Sequence, residues 1–175
     1  MTKIVKIAQL GEPILRKQAK PVRQIIDREV LDLIDTLINT AIANNGVGIA
    51  APQISKSYRL FIIASRPSDR YPHAPEMPPT PMINPRILNH SIETAKDWEG
   101  CLSVPNVRGL VPRYKKIEVE YTTREGETKQ EILTDFVARI FQHELDHLDG
   151  IVFTDRIKNK ADLYTEEQYQ QIINK

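Results

Sequence analysis

Gln142-His143-Glu144-Leu145-Asp146-His147 constrains this chain more than any other stretch. Two histidines four apart stack on one helical face, one turn apart. So placed, they can grip one divalent metal, and the Glu between them can hold a proton beside it. The flanking residues agree with a helix. Phe136, Val137, Ile140, Phe141, Leu145 and Leu148 recur at helical spacing, Thr134 or Asp135 can cap the start, and Gly150 stops it. Such a helix has to be buried, so the fold is built around it.

The rest of the chain reads as α+β. A first helix is expected over residues 27–43, with Val30, Ile34, Leu37, Ile38 and Ala41 on one face and Asn44-Asn45-Gly46 ending it, Gly46 as its cap. Residues 59–64 (RLFIIA) read as a buried strand. Residues 66–81 hold six prolines and read as a surface loop. Residues 82–88 form a short strand interrupted by Pro85, and residues 116–122 and 128–133 form a hairpin about Gly126. A short terminal helix starts at Thr165, where Thr165 and Gln168 form a capping box. The architecture expected is mainly antiparallel strands packed around a buried metal-binding helix, with an N-terminal helix and a short C-terminal helix.

Composition bounds the function. At 175 residues, residues 1–175 read as a single catalytic domain. A net charge of +1 argues against nucleic acid as the main partner. No stretch is long and apolar enough to span a membrane, and the N-terminus has no apolar signal region, so a cytoplasmic location is expected. The lone cysteine excludes an intrachain disulfide.

The third ligand has several candidates. A histidine six residues after His147 would complete one known pattern, but Phe153 stands there and cannot ligate. A thermolysin-like zinc peptidase would use a later Glu, and Glu167 lies twenty residues past His147. Glu167 also suits the first turn of the terminal helix, where acids favour the dipole. Cys101, between Gly100 and Leu102-Ser103 in a stretch read as a loop, is the soft alternative. One thiolate with two imidazoles leaves a fourth position open, as catalysis needs. A structural-metal binding module would need a fourth protein ligand instead.

Three segments together, Gly46-Val47-Gly48-Ile49-Ala50-Ala51-Pro52-Gln53, Glu99-Gly100-Cys101-Leu102-Ser103 and Gln142 to His147, resemble the motifs of the peptide deformylases, in that family's order. The resemblance runs from the first helix to about Asp155. It implies that Cys101, His143 and His147 hold the metal and that Glu144 is the general base and then acid. It also implies Gln53 and the backbone N–H of Leu102 as oxyanion donors. The implied ion is Fe2+, with Zn2+, Ni2+ or Co2+ as substitutes. The implied substrate is the N-terminal formylmethionine of nascent polypeptides, with formate released. Val47, Phe136 and Ile140 are expected to wall the pocket for the first side chain. Gly48 and Gly100 are expected to let the substrate backbone approach, and Arg108 to contact it. Glu99, Arg113 and Asp146 are expected to tie the Cys101 segment to the metal helix through an arginine between two carboxylates. His73 and His90 read as surface residues, and Trp98 as packing near the site. Some relatives dock on ribosomes through a long basic terminal helix; here that contact is weak at best, because residues 162–175 are short and mixed in charge.

Overall fold

The computed structural model describes residues 4–175. A five-stranded antiparallel sheet runs in the order β1 (Gly48–Ala50), β2 (Leu60–Ile63), β3 (Thr80–His90), β6 (Lys116–Thr122), β7 (Thr128–Thr134). A three-stranded sheet joins β4 (Thr94–Cys101), β5 (Val104–Tyr114) and β8 (Leu163–Thr165). The helices are α1 (Arg28–Ala43), α2 (Asp135–Leu148) and α3 (Glu166–Ile173).

β2 explains the layering. All four of its side chains are buried, because a strand presents alternate residues to opposite faces and both faces are covered. Leu60 and Ile62 meet Ile34, Leu37 and Ala41 of α1, while Phe61 and Ile63 meet Ala138, Ile140 and Phe141 of α2. The Phe61 and Phe141 rings pack edge to face at 5.2 Å. As expected, α2 is buried along most of its length rather than on one stripe.

Both long helices end in hydrogen-bonded caps. In α1, Gly46 N–H reaches Ala41 O at 2.9 Å and Asn45 N–H reaches Ile42 O at 3.2 Å. The residue in the left-handed conformation is Asn45 (φ 52°), not Gly46, since Asn tolerates that region. In α2, Ile151 N–H reaches Asp146 O at 2.9 Å and Gly150 (φ 74°) turns the chain. A Cβ on Gly150 would lie 2.7 Å from Arg16 O, so a glycine is required there twice over. The start of α2 departs from expectation. The Thr134 side chain makes no cap bond, and Asp135 (φ 51°) instead docks its N–H on Lys115 O at 2.8 Å. The α3 capping box forms as read, with Gln168 N to Thr165 Oγ1 at 3.1 Å and Thr165 N to Gln168 Oε1 at 2.8 Å.

Two strand expectations are corrected. Pro85 does not interrupt β3; the strand runs on to His90 through register shifts, with Asn84 at φ 49°, so the proline sits at a bulge. Cys101 does not lie in a free loop. It ends β4, which pairs with β5 over nearly its whole length.

Candidate metal centre

The β4–β5 hairpin brings Cys101 against α2. Cys101 Sγ lies 3.3 Å from His147 Nε2, and the ligand atoms of Cys101, His143 and His147 all lie within 4.8 Å of one another. All three residues are buried. Ligand atoms around one tetrahedral ion sit about 3.5 Å apart, which this spacing suits. Among the described residues this is the one such cluster, and it has no fourth protein ligand. Glu167 is exposed on α3 and takes no part.

Electrostatics favours a thiolate. Burial opposes ionisation of Cys101 most strongly, yet its pKa lies well below the ordinary thiol value because His147 and His143 face it. Glu99 Oε1 sits 2.7 Å from His143 Nδ1. That carboxylate fixes the proton on Nδ1 and turns the other ring nitrogen toward the sulfur. Burial works against the Glu99 charge, but Arg113 and His143 hold its pKa far below the carboxylate range.

The expected arginine bridge is present and larger than read. Arg113 donates to both Glu99 oxygens at 2.8 and 3.0 Å and to Asp146 Oδ2 at 2.6 Å. Arg156 closes on the same Asp146 at 2.6 Å. Two further residues carry weight that the sequence reading missed. Arg139 reaches Glu99 Oε2 at 2.8 Å and the carbonyls of Val111 and Ala95 at 2.7 Å each. Gln142 clamps Tyr114 through both amide atoms, at 3.0 and 2.9 Å. The available signal was a charged and a polar side chain on a helical face otherwise demanded by the core.

Glu144 lies beside the cluster. Burial, resisted by the charges of His143 and His147, pushes its pKa up to about 7. Its Oε2 is buried with no hydrogen-bond partner. The carboxylate fits because Gly48 has no side chain: a Cβ there would lie 2.5 Å from Glu144 Oε1. Gln53 sits in a 3-10 turn (Ala51–Ile54), where Ala50 N–H donates to its Oε1 at 2.9 Å. Its Nε2 points to Cys101 Sγ at 3.6 Å and Ser103 Oγ at 3.1 Å.

A cleft opens over these groups. Val47, Gly48, Gly100, Leu102, Phe136 and Ile140 all line it, as does Trp98. Arg108 does not. It is fully buried, paired with Glu166 at 2.7 Å and sandwiched between the Tyr71 and Tyr169 rings. His73 and His90 are exposed and stand outside the Cys101–His143–His147 cluster. Among the described residues no helix is long and apolar enough to cross a membrane.

Comparison with known proteins agrees with this geometry. The sequence model of the polypeptide deformylase family matches residues 4–162. Peptide deformylase 2 of Nostoc sp. is 59% identical over 172 residues, covering 98% of this chain and 96% of that protein. The class I type b peptide deformylase of Acinetobacter baumannii, solved with Met-Ala-Ser bound, superposes with a TM-score of 0.87 at 46% identity, over 90% of this chain and 100% of its own. The peptide deformylase of Thermotoga maritima gives 0.80 at 38% identity, over 90% and 99%. Sequence and fold thus converge over nearly the whole length: the chain belongs to the polypeptide deformylase family, hydrolases that remove the N-formyl group from newly made polypeptides.

Proposed function

We propose that Cys101, His143 and His147 hold one divalent ion, ferrous iron in the native enzyme, and that residues 1–175 work as one catalytic unit in the cytoplasm. The observation that carries this reading is the meeting of the β4 thiol with two α2 imidazoles beside an unpartnered, buried Glu144 oxygen. The donor set fits such an ion in number, burial and softness. When bound, the ion supplies Lewis acidity toward the formyl oxygen and toward water.

The protein supplies the rest. Glu144 Oε2 accepts the proton of the water that adds to the formyl carbon and delivers it to the departing amine. A carboxyl that titrates near neutrality serves in both directions. Gln53 Nε2 and the Leu102 N–H donate to the oxygen as it gains charge, a contribution of about 3 kcal/mol each. Gln53 is aimed for this by the bond from Ala50 N–H. Val47, Phe136 and Ile140 enclose the first side chain, and Gly48 and Gly100 admit the substrate backbone between β1 and β4. The substrates are nascent formylmethionyl chains, met with weak ribosome contact at most.

Anaerobic purification with metal analysis, followed by measurement of formate released from a formylmethionyl peptide, tests this reading. Stoichiometric iron and formate release are expected. A fully active protein without metal would refute the ion's role.

A further inference from the structure

The Pro-rich segment between β2 and β3 takes part in the cleft. Its backbone is fixed: Tyr71 N–H donates to Ser68 O at 3.0 Å, Ser68 N–H to Tyr71 O at 3.1 Å, and Ala74 N–H to Tyr71 O at 3.2 Å. Met77 N–H donates to Ser65 O at 2.9 Å, tying the segment back to the end of β2. The turn carries the Tyr71 ring across the cleft. The ring centroid lies 5.4 Å from that of Phe136 on α2 and 5.2 Å from the guanidinium carbon of Arg108 on β5. Tyr71 therefore bridges Phe136 in the cleft wall and the buried Arg108 behind it.

Two cavities meet at this ring. The active-site cleft is one. The other is lined by Tyr71, Trp98, Tyr114, Phe136 and Tyr169 among others, and Arg70, Tyr71, Trp98, Phe136 and Arg139 border both. Three of these five are held from behind. Phe136 and Arg139 ride α2, and Trp98 is wedged against Tyr164 and Tyr169 at 4.9 Å each. Arg70 and Tyr71 come from the Pro-rich segment, with the Arg70 guanidinium carbon 5.7 Å from the Tyr71 ring centroid, and Tyr71 is the one that packs on Phe136 and Arg108. Pushing it aside would strip one face from Arg108, whose Nη1 is already buried without an acceptor. A substrate that fits without moving the ring is thereby favoured.

We propose that Tyr71 is a specificity-determining residue: its ring closes the outer end of the pocket for the first side chain and limits that side chain to about methionine length. This rests on the deformylase reading above. A longer, flat side chain would need the space on the far side of the ring.

The test compares kcat/KM for formyl-methionyl and formyl-homophenylalanyl peptides in the wild type, Tyr71→Phe, Tyr71→Leu and Tyr71→Ala, each with metal content measured. Tyr71→Ala is expected to narrow the preference for methionine by about ten-fold, Tyr71→Leu by less, and Tyr71→Phe to keep the wild-type ratio within about two-fold. Should Tyr71→Ala not fold, Tyr71→Leu carries the comparison. Equal losses on both peptides, with the ratio unchanged, would mean that Tyr71 acts only through structure and would overturn the proposal. Failure of the wild type to release formate from either peptide would overturn the deformylase reading instead.

Discussion

Glu99 Oε1 stands 2.7 Å from His143 Nδ1 while the same carboxylate receives Arg113 and Arg139. One buried anion thus orients a metal-site imidazole and anchors two guanidinium groups. Glu99→Gln should destabilise the protein by about 3 kcal/mol at neutral pH, because two buried cations lose their shared partner. The pH dependence has a definite sign. The folded pKa of Glu99 lies far below its ordinary 4.5. Its stabilisation is therefore complete above about pH 4.5 and declines as pH falls below it. Urea unfolding of the metal-free wild type and variant, from neutral pH to about pH 3, should show a gap that narrows only in acid. A gap of constant size would contradict the assignment.

Removal of any ligand should abolish binding. Cys101→Ala, His143→Ala and His147→Ala should each purify without stoichiometric metal and without formate release, whereas Glu167→Ala should match the wild type, since Glu167 is exposed on α3. Metal analysis of the four variants decides between the thiolate and a late glutamate.

Glu144→Gln separates proton transfer from metal binding. The isosteric amide keeps the packing beside Gly48 and the three ligands but can neither take up nor deliver a proton near neutral pH. Turnover should fall about 10²–10⁴-fold with the metal retained. Near-normal turnover would show that another group is the base.

Gly48→Ala tests the close approach of β1 to α2. The added Cβ would come 2.5 Å from Glu144 Oε1 and 2.9 Å from Ile140 Cγ2. The carboxylate has to shift, and displacement of a reacting group by about 1 Å costs about 100-fold in rate. Metal content should be unchanged. A fully active variant would show that Glu144 has room that the structure does not indicate.

The iron form should lose activity on exposure to air, through oxidation of the ion and of the Cys101 thiolate, and the nickel or cobalt form should keep it. Activity followed over hours in air, with iron and nickel enzyme side by side, checks this; identical decay would argue against iron as the vulnerable element.

Much of this arrangement was legible because helices announce themselves through spacing. The faces of α1 and α2 and the pair His143 and His147 follow from the 3.6-residue period. The lone Cys101 could be matched to them only through the motif around it. The β4–β5 hairpin was not legible. Pro105, Gly109 and Pro112 interrupt β5, and β4 leaves Lys96 and Asp97 exposed, so neither shows clean alternation. Long-range pairing along the hairpin overrides those local preferences. Arg139 was opaque for a different reason. A buried arginine is intelligible only when its acceptors, Glu99 and the Ala95 carbonyl on β4 and the Val111 carbonyl on β5, are seen together.

Cys101 ends a strand of the three-stranded sheet, whereas both histidines ride the helix packed beneath the five-stranded one. An ion shared by them would be a further cross-link between two layers. It closes a loop of more than forty residues in the unfolded chain, from Cys101 to His143 and His147. The ion would thus add to a join that Arg113, Arg139 and Gln142 already make between β4–β5 and α2. Chelation should do more than silence the enzyme: it should part the two layers first, and hydrogen exchange should quicken along β4 and β5 before it does in β2.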